Sequence, residues 1–303
     1  MKTLFVFIAI FAFSLPTSIC QTANEYYSSG GNKIELNDYK GAIDDYSKAI
    51  EINPDFADAY YSRGFAKNRI GDYKGAIADF TKAIEINPEH SKAYCNRGFS
   101  KNVLTDYRAA ISDFIKAIEI NPDYSDAYYN RGFAKVILED RTGAIADFTR
   151  AIEINPNFAE AYFSRGYANK DSDLKEIIAD FTKAIELNQN YSEAYFFRGG
   201  ANLFIGDPKA AIADFSEVIR INPEEAESYL YRGKAKASLG DIETAIVDYT
   251  KAIEFNSKYA EAYYSRGAAK IILDDKKGGC LDFKIAAELG DKNAIDYFNK
   301  LCK

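Results

Sequence analysis

Apolar residues recur along this chain with the period of amphipathic helices, and the pattern is interrupted at regular intervals. From Ala57 the apolar positions keep helical spacing to Ile70, Gly71-Asp72 breaks the run, and Tyr73 to Ile86 resumes it until Asn87-Pro88 closes it. The spacing predicts two helices folded back on each other about a short turn. Asp207-Pro208 starts another such helix, with a capping aspartate before a proline at the first helical position, where the missing N–H costs nothing. The turn after Asn53, Asn87, Asn121, Asn155 and Asn222 carries Pro54, Pro88, Pro122, Pro156 and Pro223, which end the preceding helix.

The same segment returns every 34 residues, and such a period decides the architecture before any single element does. Counting Ala57 as place one, repeats occupy residues 23–56, 57–90, 91–124, 125–158, 159–191, 192–225, 226–259 and 260–290, and only the fifth is one residue short. The shortening falls between Asn169 and Leu174, and the same repeat has Ile177 for the small residue at place 20 and Gln189 for proline, which predicts a local irregularity. Place four is always tyrosine, place eight always glycine (Gly30, Gly64, Gly98, Gly132, Gly166, Gly199, Gly233, Gly267) and place 24 always Phe or Tyr. Glycine inside a helix costs about 1 kcal/mol relative to alanine, so its recurrence implies a close approach. If the helices pack antiparallel about places 15 and 16, glycine meets the ring at place 24, and the place-four tyrosine meets Ala49, Ala83 or Ala117 at place 27.

Together these residues resemble the tetratricopeptide repeat family: an aromatic at place four, Gly at eight, Ala at 20 and 27, an aromatic at 24 and Pro at 32, over residues 23–290. The resemblance implies an all-α fold, an α-solenoid superhelix of eight helix-turn-helix repeats with a C-terminal capping helix over 291–303. Its first helices would line a concave groove that binds a protein or extended peptide, with no catalysis and no cofactor.

One departure from the family is informative. Place seven, usually apolar, is arginine in seven repeats, and place 23 is aspartate in all eight. The two places lie level across the hairpin, which predicts bidentate pairs Arg63 with Asp79, Arg97 with Asp113, Arg131 with Asp147 and Arg165 with Asp180. The alternative use of these arginines is anion binding. The first repeat has Ser29 instead, as an atypical end repeat would.

The places that the family turns to its groove hold an aromatic run with an acidic border. Tyr61, Tyr129, Phe163 and Phe196 stand at place five, Phe65, Phe99, Phe133 and Tyr167 at place nine, and Asp58, Asp126 and Glu160 at place two. Such a surface suits an extended peptide with apolar side chains and some positive charge; the competing account is that the rings pack neighbouring helices together. Members that grip a partner's C-terminal carboxylate use lysines and asparagines here. Only Asn96 and Asn130 match, beside Tyr61, Phe65 and Asp126, so that mode is disfavoured.

The 303 residues carry a net charge of -7 spread along the chain, which disfavours a nucleic-acid partner. A single histidine, His90, leaves no material for a histidine triad or a multi-histidine metal site, and its place in the inter-repeat turn predicts a surface residue. Lys2 followed by apolar Leu4 to Phe13 and small or polar residues reads as a secretory signal peptide over residues 1–20, with Gln21 as the new N-terminus. That run is about half of the ~20 residues a membrane-spanning helix needs, so no transmembrane helix is expected in the mature chain. Export to the periplasm or medium follows, with an envelope lipoprotein anchored through Cys20 as the alternative. Cys280 replaces the isoleucine of place 21 and is expected to be buried; with Cys302 on the cap it forms either a disulfide or a small buried thiol.

Overall fold

A computed structural model describes residues 22–169 and 173–302, so the leader expected over residues 1–20, with Cys20, lies outside them. Among the described residues the chain is all helix: α1 (Ala23–Glu35), α2 (Tyr39–Ile52), α3 (Ala57–Arg69), α4 (Tyr73–Ile86), α5 (Ser91–Val103), α6 (Tyr107–Ile120), α7 (Ser125–Ile137), α8 (Arg141–Ile154), α9 (Ala159–Ala168), α10 (Leu174–Leu187), α11 (Ser192–Phe204), α12 (Pro208–Ile221), α13 (Ala226–Ser238), α14 (Ile242–Phe255), α15 (Ala260–Ile272), α16 (Lys276–Glu288) and α17 (Lys292–Leu301). Two compact parts divide at Thr105 and Asp106. In the first, α1 packs on α2, α2 on α3, and so on to α5; in the second, the same succession of neighbours runs from α6 to α17. This is the helix-turn-helix repeat packing of an α-solenoid.

Each hairpin is closed by the same local chemistry. At place 15 the backbone turns left-handed: Gly71 has φ 83°, whereas Asn37, Thr105, Glu139 and Asp274 adopt φ 59° to 65° despite carrying a Cβ. The next residue caps the second helix, as where Asp72 accepts from the Gly75 N–H at 2.9 Å and Asp140 from the Gly143 N–H at 3.0 Å. Between hairpins an asparagine folds back on the backbone, Asn87 Oδ1 accepting from the Glu89 N–H at 3.1 Å. Asn188 and Asn256 do the same at 3.1 Å although Gln189 and Ser257 replace the proline, so the asparagine rather than the proline shapes this turn.

Inside each hairpin a large ring fits against a missing side chain. Phe80, Phe148, Phe215 and Phe283 at place 24 are fully buried. A Cβ on Gly64 would stand 2.8 Å from the Phe80 ring and one on Gly132 2.8 Å from Phe148, so glycine is the residue that lets the helices close. Ala83 is buried in one cluster with Phe80, Tyr60 and Tyr94.

The fifth hairpin departs from its neighbours. Its first helix, α9, has 10 residues where the other first helices have 13, and Ile177 is buried at the start of α10. The glycine contact survives the shortening: a Cβ on Gly166 would meet Phe181 at 3.1 Å, as one on Gly199 would meet Phe215 in the next hairpin.

Cys280 is half-buried rather than buried, because place 21 is half-buried in every hairpin, as at Ile43, Ile77 and Ile145. It is joined to Cys302 by a disulfide with Cα atoms 5.6 Å apart, which ties the end of α17 to α16.

Candidate functional site

Three layers of side chains lie on and beneath the first helices. The deepest is ionic. Arg63 donates through Nε and Nη2 to both carboxylate oxygens of Asp79 at 3.0 and 2.7 Å, and Lys67 adds a second cation at 2.7 Å. Arg131 with Asp147 (2.9 and 2.6 Å) and Arg165 with Asp180 (2.9 and 2.6 Å) repeat the bidentate fork, and Lys135 adds to Asp147 at 2.8 Å. Arg97 belongs to the first part and Asp113 to the second, and Asp113 is buried. In the first repeat Ser29 and Lys33 share Asp45 at 2.7 and 2.6 Å, and this contact holds the carboxyl below its ordinary range against the opposing cost of desolvation.

The arginines are consumed from every side. Each guanidinium lies over the place-four tyrosine, as Arg63 over Tyr60 at 5.5 Å and Arg131 over Tyr128 at 5.4 Å. In all of them but Arg131, which faces Ile115, the remaining nitrogen reaches back to the preceding hairpin, Arg63 Nη1 donating to Ser47 at 3.0 Å, Arg97 to Thr81 at 3.1 Å and Arg198 to Thr182 at 3.1 Å. A guanidinium so occupied has no outward fork left for an anion, and the structure gives no support to that use. The lysine of place 11 (Lys33, Lys67, Lys135, Lys236, Lys270) was legible in the repeat but is not a family hallmark, and its role becomes visible only in three dimensions.

The middle layer is the aromatic set at place five, and these rings join hairpins: Tyr61 packs on the cluster that holds Ala93 of the next first helix, Tyr129 on that with Ala161 and Phe163 on that with Ala194, besides ring contacts within their own repeats. Tyr129 touches Phe148 of its own hairpin at 5.8 Å and Phe158, at its end, at 4.8 Å. Phe163 makes the same pair of contacts with Phe181 (5.6 Å) and Tyr191 (5.0 Å), Tyr61 with Phe80 (5.9 Å) and His90 (4.8 Å), and Phe196 stacks edge-on against Phe215 at 5.7 Å. Burial pushes the Tyr61 phenol up to about 12. The expectation for His90 needs correction: its side chain is only 10% exposed. It occupies the last place of its repeat, where other repeats put Phe56, Tyr124, Phe158 and Tyr191, and it substitutes for a packing ring while capping α5 through Nδ1, which accepts from the Ala93 N–H at 3.2 Å.

The outer layer is place nine. Phe99, Phe133 and Tyr167 are 40%, 45% and 52% exposed, and Phe65 is half-buried. Phe65 and Phe99 belong to the first part of the chain, Phe133 and Tyr167 to the second. Asp58 and Glu160 are exposed beside them, and desolvation raises the Asp126 carboxyl above its ordinary value. Both asparagines of this face are engaged at home, Asn96 donating to the Lys92 carbonyl at 3.0 Å and Asn130 to the Asp126 carbonyl at 2.8 Å. Among the described residues no cluster of three His, Cys, Asp or Glu side chains is placed to hold a metal ion, and no helix is long and apolar enough to cross a membrane.

A TPR repeat model matches residues 33–71, 106–136, 137–173 and 233–270, and tetratricopeptide repeat models match 57–90 and 192–225, together well over half of the chain. The chain belongs to the tetratricopeptide repeat family. No curated protein matches this tetratricopeptide repeat protein in sequence. Among solved structures it is similar to YrrB, described as a TPR protein with an unusual peptide-binding site, at 26% identity and TM-score 0.51 over 60% of this chain and 95% of that one. The C-terminal part of a TPR repeat-containing protein from Cytophaga hutchinsonii aligns at 20% identity and TM-score 0.64 over 78% and 98% of the two chains. Pseudomonas aeruginosa pilF aligns at 16% and TM-score 0.63 over 71% and 96%. At those identities the last two show the tetratricopeptide repeat fold alone.

Proposed function

We propose that this tetratricopeptide repeat protein is an exported, non-catalytic scaffold that holds an extended peptide or protein partner against its first helices. The observation that carries the reading is the contrast between places five and nine: the place-five rings are spent on joining hairpins, whereas Phe99, Phe133 and Tyr167 stay 40% to 52% exposed in repeat after repeat. Rings left in water at a fixed place are a liability for a monomer and an anchor for a ligand. The bordering acids at Asp58, Asp126 and Glu160 favour a cationic partner, and the peptide-binding description of YrrB supports the same class.

Peptides selected on the wild-type chain from a random library test this. Phe133→Ala should melt as the wild type does and lose about 2 kcal/mol of peptide affinity, whereas Phe148→Ala should lose about 3 kcal/mol of stability. A Phe133→Ala protein that binds every selected peptide normally overturns the proposal.

Export rests on the charged and apolar start of the sequence and is supported by the Cys280–Cys302 disulfide, which belongs in an oxidising compartment. The intact mass of the mature protein checks it: a chain beginning at Gln21 is expected, acyl chains on Cys20 would make it an envelope lipoprotein, and a retained leader would end the export reading.

A further inference from the structure

Four successive first helices carry a ring at place nine, Phe65, Phe99, Phe133 and Tyr167, and the next one does not. Place nine of α11 is Gly200, and a Cβ built there would meet nothing within 4 Å. The same helix departs from the repeat at two more places. Place six is serine or asparagine at Ser28, Ser62, Asn96, Asn130, Ser164 and Ser265 but Phe197 in α11 and Tyr231 in α13, and place 13 of α11 is Phe204, 83% exposed. The omitted ring and the added ones border a cavity of about 600 Å³ lined by Tyr167, Phe197, Gly200, Phe204 and Tyr231, with Arg141 the one charged side chain of the lining among the described residues.

At the opposite end of α11 lies a second cavity of about 480 Å³, which shares Phe196 and Phe197 with the first and is lined by Glu193, Glu225 and Glu227. Glu225 and Glu227 repel one another across it. Desolvation, then Glu225 and Glu261, hold the Glu227 carboxyl above its ordinary range against the opposing pull of Lys234, which pairs with Glu261 at 2.5 Å.

We infer that the two cavities are paired subsites for one extended peptide, the first taking a phenylalanine-like side chain where the repeat omits its own ring, the second taking a lysine or arginine. The inference rests on the peptide-binding reading above and adds the ligand's chemistry. A volume near 600 Å³ falls in the range of ligand sites, about 300–1,000 Å³, and exceeds what one ring fills, which leaves room for the backbone to enter. Tyr, Phe and aliphatic walls reward an aromatic occupant through ring contacts as well as burial. Unneutralised glutamates reward a cation beside it. Gly200 and Glu193 are seven helical residues apart, about 10 Å along α11, which about three residues of extended peptide would span.

The test uses the full mature chain and fluorescein-labelled octapeptides with one phenylalanine and one lysine three positions apart, in either order, and serine elsewhere. Anisotropy titration should saturate for one order, weaken about tenfold when phenylalanine becomes serine, and weaken about fivefold when lysine becomes glutamate. Gly200→Phe restores the ring of the other repeats into open space, so it should melt like the wild type and bind about tenfold more weakly; Phe204→Ser should do the same from the other wall. Saturable binding that Gly200→Phe and Phe204→Ser leave unchanged, or no binding by either octapeptide order, overturns the inference. Library peptides that still depend on Phe133 in that event would leave the general peptide-binding reading standing.

Discussion

The imidazole of His90 packs at a tilt of 37° against the Tyr61 ring with centroids 4.8 Å apart and brings Nε2 within 3.4 Å of Asp58 Oδ1 without forming a hydrogen bond among the described residues. Burial disfavours the charged ring more than Asp58 favours it, so His90 titrates below its ordinary 6.5. The unfolded chain therefore binds a proton that the folded chain refuses, and the stability this site contributes is present above pH 6.5 and is lost as pH falls below it. Thermal melts at pH 7.5 and about pH 5 should show a fall in Tm that is smaller in His90→Phe, which restores the ring found at Phe56 and Phe158. An identical pH dependence in the variant, or an NMR titration of this lone histidine with a midpoint above 6.5, contradicts the account.

Two helix-interior glycines should respond to alanine with opposite sign. At Gly64 the new methyl would stand 2.8 Å from the buried Phe80 ring, so Gly64→Ala is expected to lower stability by about 1–3 kcal/mol. Gly31 has nothing within 4 Å of a Cβ, and Gly31→Ala should raise stability by up to about 1 kcal/mol. Urea unfolding of the pair decides whether close approach or some other demand keeps glycine at place eight.

The carboxylate of Asp147 is shared between Arg131 and Lys135, so its removal leaves two cations facing each other in a half-buried site. Asp147→Ala should therefore cost about 3–5 kcal/mol, and Arg131→Met less, because Lys135 still neutralises the buried acid. Equal losses in the two variants would argue that the shared lysine contributes nothing.

Glu139 holds φ at 65° and Thr105, β-branched, does the same, where the matching places at Gly71 and Gly206 are glycine. Glu139→Gly and Thr105→Gly should each stabilise by about 1 kcal/mol, which differential scanning calorimetry would register as a higher Tm.

How far these features were legible depends on whether they repeat. The helix limits, the glycine against the place-24 ring and the arginine opposite aspartate recur often enough that their spacing alone locates the partners, as Gly64 with Phe80 and Arg63 with Asp79 illustrate. A residue that occurs once is harder: His90 reads as a turn residue until it is noticed that other repeats place a ring there. Isoleucine at place 21 looks like core, yet the half-buried Ile77 and Cys280 show that an apolar stripe can be wider than the buried one. The division between packed place-five rings and open place-nine rings depends on the angle between neighbouring hairpins, which no periodicity encodes. The cavity beside Gly200 is a departure from the repeat in one helix, seen only when its neighbours fail to fill the space.

Six arginines clasp the hairpin before their own through a hydroxyl at place 25: Arg63 to Ser47, Arg97 to Thr81, Arg165 to Thr149, Arg198 to Thr182, Arg232 to Ser216 and Arg266 to Thr250. The seventh cannot, because the residue offered to Arg131 from α6 is Ile115. A linear array melts by moving a boundary between ordered and disordered repeats, and the boundary rests where the coupling between neighbours is weakest. The seam between α6 and α7 lacks that tie, so amide protons flanking it would exchange ahead of those flanking the clasped seam between α12 and α13.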